Sequence, residues 1–215
     1  MRIMDSYQKK IEECEDLESL FEIWKEAHLE EKYFKDSFPG NSLPVCFAKN
    51  WTNDGFLSEN KKDIEILFIL KEPNESKSIE KNDFCCKEFW IKNNIHKRIS
   101  IPRRMFKTAR KLFENPDLDQ KTWFQQAAVM NLNKRGGYSQ CNYKKLKNYV
   151  KIYKSFIEKQ IEIINPKKIV FLCGNNDETK EIIKILDVSR YEIYYGPHPA
   201  KWGSDENFLI EVTKY

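Results

Sequence analysis

Apolar positions along this chain follow two rhythms, and the alternation between them sets the fold. In the first, apolar residues recur every three or four positions, the spacing of one helix face. Residues 5–33 show it at Cys14, Leu17, Phe21, Trp24 and His28, with Asp5 or Ser6 able to cap the start. It returns after Ser100, where Pro102 sits in the first turn and Met105, Phe106, Ala109, Leu112 and Phe113 form a face that Asn115-Pro116-Asp117 stops. It is longest over about 142–164, with Leu146, Tyr149, Val150, Tyr153, Phe156, Ile157, Ile161 and Ile164 on one side and Lys144, Lys145, Lys147, Lys151 and Lys154 on the other, ending at Asn165-Pro166. A short helix carries Ile182, Ile183 and Leu186, and a last one spans about 204–213.

The second rhythm is an unbroken apolar run bounded by charge or turn residues, which suits a strand buried on both faces. It occurs at about 64–70 (Ile66-Leu67-Phe68-Ile69-Leu70) and at Lys168–Gly174; Ala127–Asn133 and Tyr191–Gly196, the latter with Glu192 inside it, read as two further strands. Strands alternating with helices predict a parallel sheet with helices on both faces. Two stretches have neither rhythm. Residues 34–60, with Pro39-Gly40, Pro44 and Asn53-Asp54-Gly55, read as an ordered loop region, and 71–100 mix Phe84, Cys85, Cys86, Phe89 and Trp90 with many charges. A chain of 215 residues fits one domain, 1–215, with 1–60 a helical and loop extension packed on it.

Charge changes this picture little. The chain has 37 basic and 33 acidic residues, a net +4, which permits nucleic-acid binding without requiring it. Six cysteines, with no Cys-x-x-Cys pair, and three scattered histidines argue against a zinc finger or ribbon. The polar N-terminus holds no signal-peptide core, and no apolar run reaches the roughly 18–20 residues of a membrane span. The expectation is a soluble cytoplasmic protein with reduced thiols, no membrane partner and a monomeric state.

Candidate chemistry collects at the carboxyl ends of the strands, where open α/β sheets bind ligands. Lys71-Glu72-Pro73-Asn74 follows the first strand, Asn131 ends the second, and Pro197-His198-Pro199 follows the fourth. In a parallel sheet all three meet along one edge. Glu72 could equally be a solvated loop acid, His198 a rigid turn residue and Asn131 a loop cap. Phe84 is as suited to a core as to a stacking platform. The lysines at 144–154 read as a solvated helix face, whereas Lys134 and Arg135 follow Asn131 at the same edge and could meet phosphates.

The set resembles the uracil-DNA glycosylase superfamily, in which a strand leads to an acid and a proline, a second ends in Asn and a third leads to His-Pro. Here these read Lys71-Glu72-Pro73, Val129-Met130-Asn131-Leu132 and Gly196-Pro197-His198-Pro199-Ala200, in matching order over roughly residues 60–205, and Asn165–Gly174 resembles the passage before the last motif. The resemblance implies an α/β three-layer sandwich with a central four-stranded, mostly parallel sheet. It implies a glycosylase that flips a nucleotide and hydrolyses its base–sugar bond, serving repair or defence against foreign DNA. Glu72 would orient water or stabilise the cationic sugar, and His198 would donate to the departing base. Lys71, Pro73, Asn74, Phe84 (with Phe89 second) and Asn131 would bind the base, with Asn131 reading its pairing edge. Lys134, Arg135 and Lys201 would contact DNA, and Trp202 would fill the vacated stack.

The chain departs from the family pattern at Leu70, where glycine is usual, and at Lys71, Asn74 and Ala200, which implies a larger or differently charged pocket. Cys85, Cys86 and Cys141 do not reproduce the four-cysteine spacing of the branches that hold an iron–sulfur cluster, so no metal or cofactor is expected. The expected function is removal of uracil or a modified pyrimidine from DNA. The alternatives are a catalytically altered module that binds DNA or protein on the same fold, and an enzyme acting on a free nucleotide or nucleoside.

Overall fold

The computed structural model describes residues 3–30, 52–58, 63–72, 84–85, 100–134, 141–201 and 203–215. Its centre is the strand predicted from the apolar run Ile66–Leu70. Every residue of β3 (Ile66–Leu70) is buried, because helices cover both faces of the sheet. Leu67 and Ile69 point into one core and Ile66, Phe68 and Leu70 into the other, the period-two alternation of a strand.

Strand β3 pairs in parallel with β5 (Ala127–Asn131) on one side and β6 (Lys168–Phe171) on the other, and β6 pairs in parallel with β7 (Glu192–Tyr195). Two-residue strands close the edges antiparallel: β2 (Gly55–Phe56) on β5 and β8 (Thr213–Lys214) on β7. The sheet is therefore mixed and six-stranded, in the order β2-β5-β3-β6-β7-β8, rather than four-stranded. Both edge strands are too short to leave a periodic signal in the sequence. A separate parallel pair joins β1 (Thr52–Asn53) to β4 (Phe84–Cys85).

On one face lie α1 (Ile3–Glu12), α2 (Leu17–Glu30), α5 (Tyr143–Ile152), α6 (Lys154–Ile164) and α7 (Asp177–Ile185). On the other lie α3 (Ser100–Leu112), α4 (Gln120–Gln126) and α8 (Asp205–Ile210). The predicted helix at 5–33 is two helices, because Asp16 turns its carboxylate back to the Ser19 amide at 2.8 Å and starts α2 afresh. The long helix at 142–164 bends at Tyr153, whose ψ of 20° interrupts it. There the fully buried Tyr153 ring lies 4.6 Å from Tyr149 and 6.1 Å from Trp24. Helix α4, capped by Asp119, leads directly into β5. The last helix stops at Ile210 and the chain returns as β8. No helix among the described residues is long and apolar enough to cross a membrane.

A buried ion pair ties the β2–β5 edge together. Asp54 precedes β2, and its Oδ1 accepts from Lys134 Nζ at 2.6 Å and from Gln160 Nε2 at 2.8 Å. Its Oδ2 accepts from the Asn131 amide at 2.6 Å and from Asn131 Nδ2 at 3.2 Å. Lys134 Nζ also donates to the Asn131 carbonyl at 2.7 Å and lies 5.2 Å from the Trp24 ring centre. Neither charged side chain is exposed at all. Such a pair is dear to break from one side, because the survivor stays buried and uncompensated. Asp54→Ala is expected to destabilise the fold by about 3–5 kcal/mol in urea unfolding, and Asp54→Leu with Lys134→Met to recover much of that loss.

Candidate active site

The carboxyl ends of β3, β5, β6 and β7 share one edge because the four strands are parallel and in register, with Leu70 beside Asn131 and Phe171 beside Tyr195. Backbone pairing continues past the strand ends. The Leu132 amide donates to Leu70 O and the Asn133 amide to Lys71 O, both at 2.9 Å, which lays Asn133 alongside Lys71 and Glu72. The Gly196 amide donates to Phe171 O at 3.0 Å and the Gly174 amide to Gly196 O at 3.1 Å, which does the same for the loop approaching His198. After β3 the next described helices, α3 and α4, lie on one face, whereas α7 after β6 lies on the other. Where the connections of neighbouring strands leave to opposite faces in this way, the carboxyl edge is the usual ligand-binding position of an open α/β sheet.

Glu72 is half-buried at this edge, and its Oε2 accepts from Asn133 Nδ2 at 3.3 Å. Burial raises its pKa above the ordinary glutamate value, opposed by the Asn133 hydrogen bond, the Lys71 charge and a hydrogen bond from the Cys141 thiol. That thiol is pushed up to about 12, first by burial and then by the Glu72 carboxylate, so at neutral pH it stays a donor. Lys71 Nζ lies 5.7 Å from the centre of the Tyr143 ring, and the Tyr143 hydroxyl donates to Cys173 O at 2.5 Å. Gly174, at φ +141°, leaves room for that hydroxyl; a methyl group there would run into it.

His198 is half-buried at the end of the loop after β7. Its Nδ1 accepts from the Ala200 amide at 3.3 Å, which leaves the ring proton on Nε2. Burial, and then the Lys71 charge, lower its pKa to about 4, so the imidazole is neutral at physiological pH. Lys71 thus acts on both groups at once, favouring the Glu72 carboxylate and disfavouring the His198 imidazolium. The edge offers an acceptor, a neutral N–H donor and an ammonium.

Other predicted residues fall elsewhere. Lys134 is fully buried on Asp54, where no phosphate can reach it, which corrects its assignment to DNA. Asn131 is buried too, with its amide turned to Asp54, so the side chain beside Glu72 is Asn133. Lys201 is exposed, and its Nζ sits 2.8 Å from both carboxylate oxygens of Glu211. Phe84 contributes backbone pairing to Thr52; its side chain, like Pro73, Asn74, Phe89, Arg135 and Trp202, lies outside the described residues. Sequence reading missed Asn133, Cys141 and Tyr143. Only the Asn-Leu-Asn alternation at 131–133 hinted at a second amide on the same rim.

Fold and site together define an α/β protein with an open mixed sheet and a cluster of polar groups at the carboxyl edge of its parallel strands. No protein-family model matches the sequence, and a search of curated proteins finds no match.

A neutral histidine in the folded state has a consequence for stability. Between the ordinary histidine value of 6.5 and about 4, the unfolded chain binds a proton that the folded chain does not. Stability from this group is complete above pH 6.5 and lost as pH falls through that window. His198→Gln is expected to flatten this part of the profile, measured as unfolding free energy against pH.

Proposed function

We propose that this chain is a DNA glycosylase that hydrolyses the N-glycosidic bond of uracil or a modified pyrimidine after flipping the nucleotide out of the stack. The observation that carries the reading is the pairing of a carboxylate and a neutral imidazole donor on one sheet edge, with the Lys71 charge acting on both. It stands beside the ordered resemblance of the three motifs.

The chemistry needs two opposite kinds of help. As the C1′–N1 bond breaks, its electron pair leaves with the base and the sugar becomes cationic. The His198 Nε2–H donates to the base oxygen that gains charge, without having to lose its proton. The Lys71 ammonium stabilises the same anion. Glu72 faces the cationic sugar and orients the water whose oxygen bonds to C1′; that water's proton finally resides on the free base. Asn133, held on Glu72, is placed to read the base or to hold the carboxylate in position. The three-layer, uracil-DNA glycosylase-like architecture belongs to this proposal, as does DNA as the partner.

The test is a panel of oligonucleotides with uracil and modified pyrimidines, single- and double-stranded, assayed for free base and abasic sites. Release from at least one substrate is expected. Salt-dependent DNA binding with no release from any would favour the binding module instead. Glu72→Gln and His198→Ala should each slow release at least tenfold, about 1.4 kcal/mol of barrier. The rate should fall on the acid side as the Glu72 carboxylate is protonated, above its ordinary value of 4.5. It should show no separate step near 6.5, because His198 is already neutral there.

A further inference from the structure

We propose that Arg104 is the positioning residue of this site, gathering the loop that carries His198 around its guanidinium and so fixing the direction in which the imidazole presents its Nε2–H. The inference rests on the reading of His198 as the donor to the departing base.

Arg104 lies on α3, far from His198 in sequence, and is only 3% exposed. Its Nη1 donates to the carbonyls of Pro199, at 3.0 Å, and Lys201. Its Nη2 donates to the Gly203 carbonyl at 2.5 Å, and its Nε to Asp205 Oδ1 at 3.0 Å. Three alternate carbonyls of residues 199–203 therefore converge on one planar cation. Only arginine presents donors in a rigid fork wide enough for this; lysine is a single point charge on a flexible stem. The Phe208 ring, 5.2 Å from the guanidinium carbon, closes the remaining side.

Two further features adapt the loop to the clasp. Gly203 adopts φ +126°, a conformation that side chains disfavour, and a Cβ there would meet nothing, so its backbone geometry rather than space requires glycine. Asp205 is gripped from the far side by Arg103, at 2.8 Å, and by Lys107, at 2.8 Å, which fixes the end of the loop to the same helix. Inside the loop the Lys201 amide donates to the His198 carbonyl at 2.8 Å and the Ala200 amide to the ring Nδ1. The chain from the guanidinium to the imidazole is thus short and continuous: Arg104 holds 199, 201 and 203, and residues 200 and 201 hold 198.

The test compares the wild-type protein with Arg104→Lys and with Gly203→Ala, which disturbs the same clasp from the loop side. The first readout is the ring titration and tautomer of His198, followed by nitrogen-15 NMR on the protein alone. In the wild type the Nε2–H tautomer should hold down to about pH 4. In each folded variant the imidazole should titrate closer to 6.5 with mixed tautomers. The second readout is base release, where kcat should fall at least about tenfold with little change in KM, because the donor acts in the transition state. Wild-type titration and tautomer in a folded variant, with unchanged kcat, would overturn the assignment. If Arg104→Lys fails to fold, Gly203→Ala alone decides by the same criteria. If titration shifts but wild type releases no base from any substrate, the positioning role stands and the glycosylase reading falls; release by wild type with no shift in the variants gives the reverse.

Discussion

The whole arrangement depends on one strand being satisfied from both sides. β3 is five buried apolar residues, so its backbone amides and carbonyls must pair with protein. They do so in parallel register with β5 and β6, and the pairing runs on beyond the strand ends through Leu132, Asn133 and Leu172. Parallel pairing brings all carboxyl ends to the same edge. The chemistry is gathered there because of that register, and no single loop gathers it. The Asp54–Lys134 pair holds the β5 end of this edge and Arg104 holds the loop beyond β7, so each flank of the edge has its own buried ionic anchor.

Burial sets the electrostatics of the edge. Removing water disfavours charge, which raises Glu72 and lowers His198. Lys71 reinforces the neutrality of His198 but works against burial at Glu72. The result is a carboxyl group raised above the ordinary glutamate value and, on the same sheet edge, an imidazole that does not take up a proton near neutrality. For a reaction that expels an anion and leaves a cation, this division places the hydrogen-bond donor and the negative charge on separate side chains. The neighbouring thiols of Cys141 and Cys173 are also held protonated by burial, so they act as weak donors and packing groups.

Much of this was legible in the sequence, and the limits have physical causes. The strands β3, β5 and β6 show as apolar runs because burial on both faces leaves no alternation to obscure them, whereas β7 is only half-buried and keeps the charged Glu192. Glu72 and His198 stand out as candidates in the sequence because each follows a predicted strand. The short edge strands β2 and β8, at two residues each, cannot imprint a period. Asn131 and Lys134 looked like site residues because they sit at the right strand end. Their partner Asp54 lies 77 and 80 residues away, in a segment that reads as loop, and no local pattern announces it. Arg104 was hidden in the same way, as one basic residue on an amphipathic helix, since its partners lie 95 to 101 residues further along.

The central claim is that Glu72 and His198 belong to one site because they feel the same ammonium. The most direct measurement is the titration of both side chains by NMR in the wild type and in Lys71→Met. Removing that charge deprives the Glu72 carboxylate of a stabilising neighbour and frees the His198 ring to accept a proton, so both pKa values should rise together. If either stays where it was in a folded variant, the two groups do not share Lys71, and the account of a single catalytic edge is wrong.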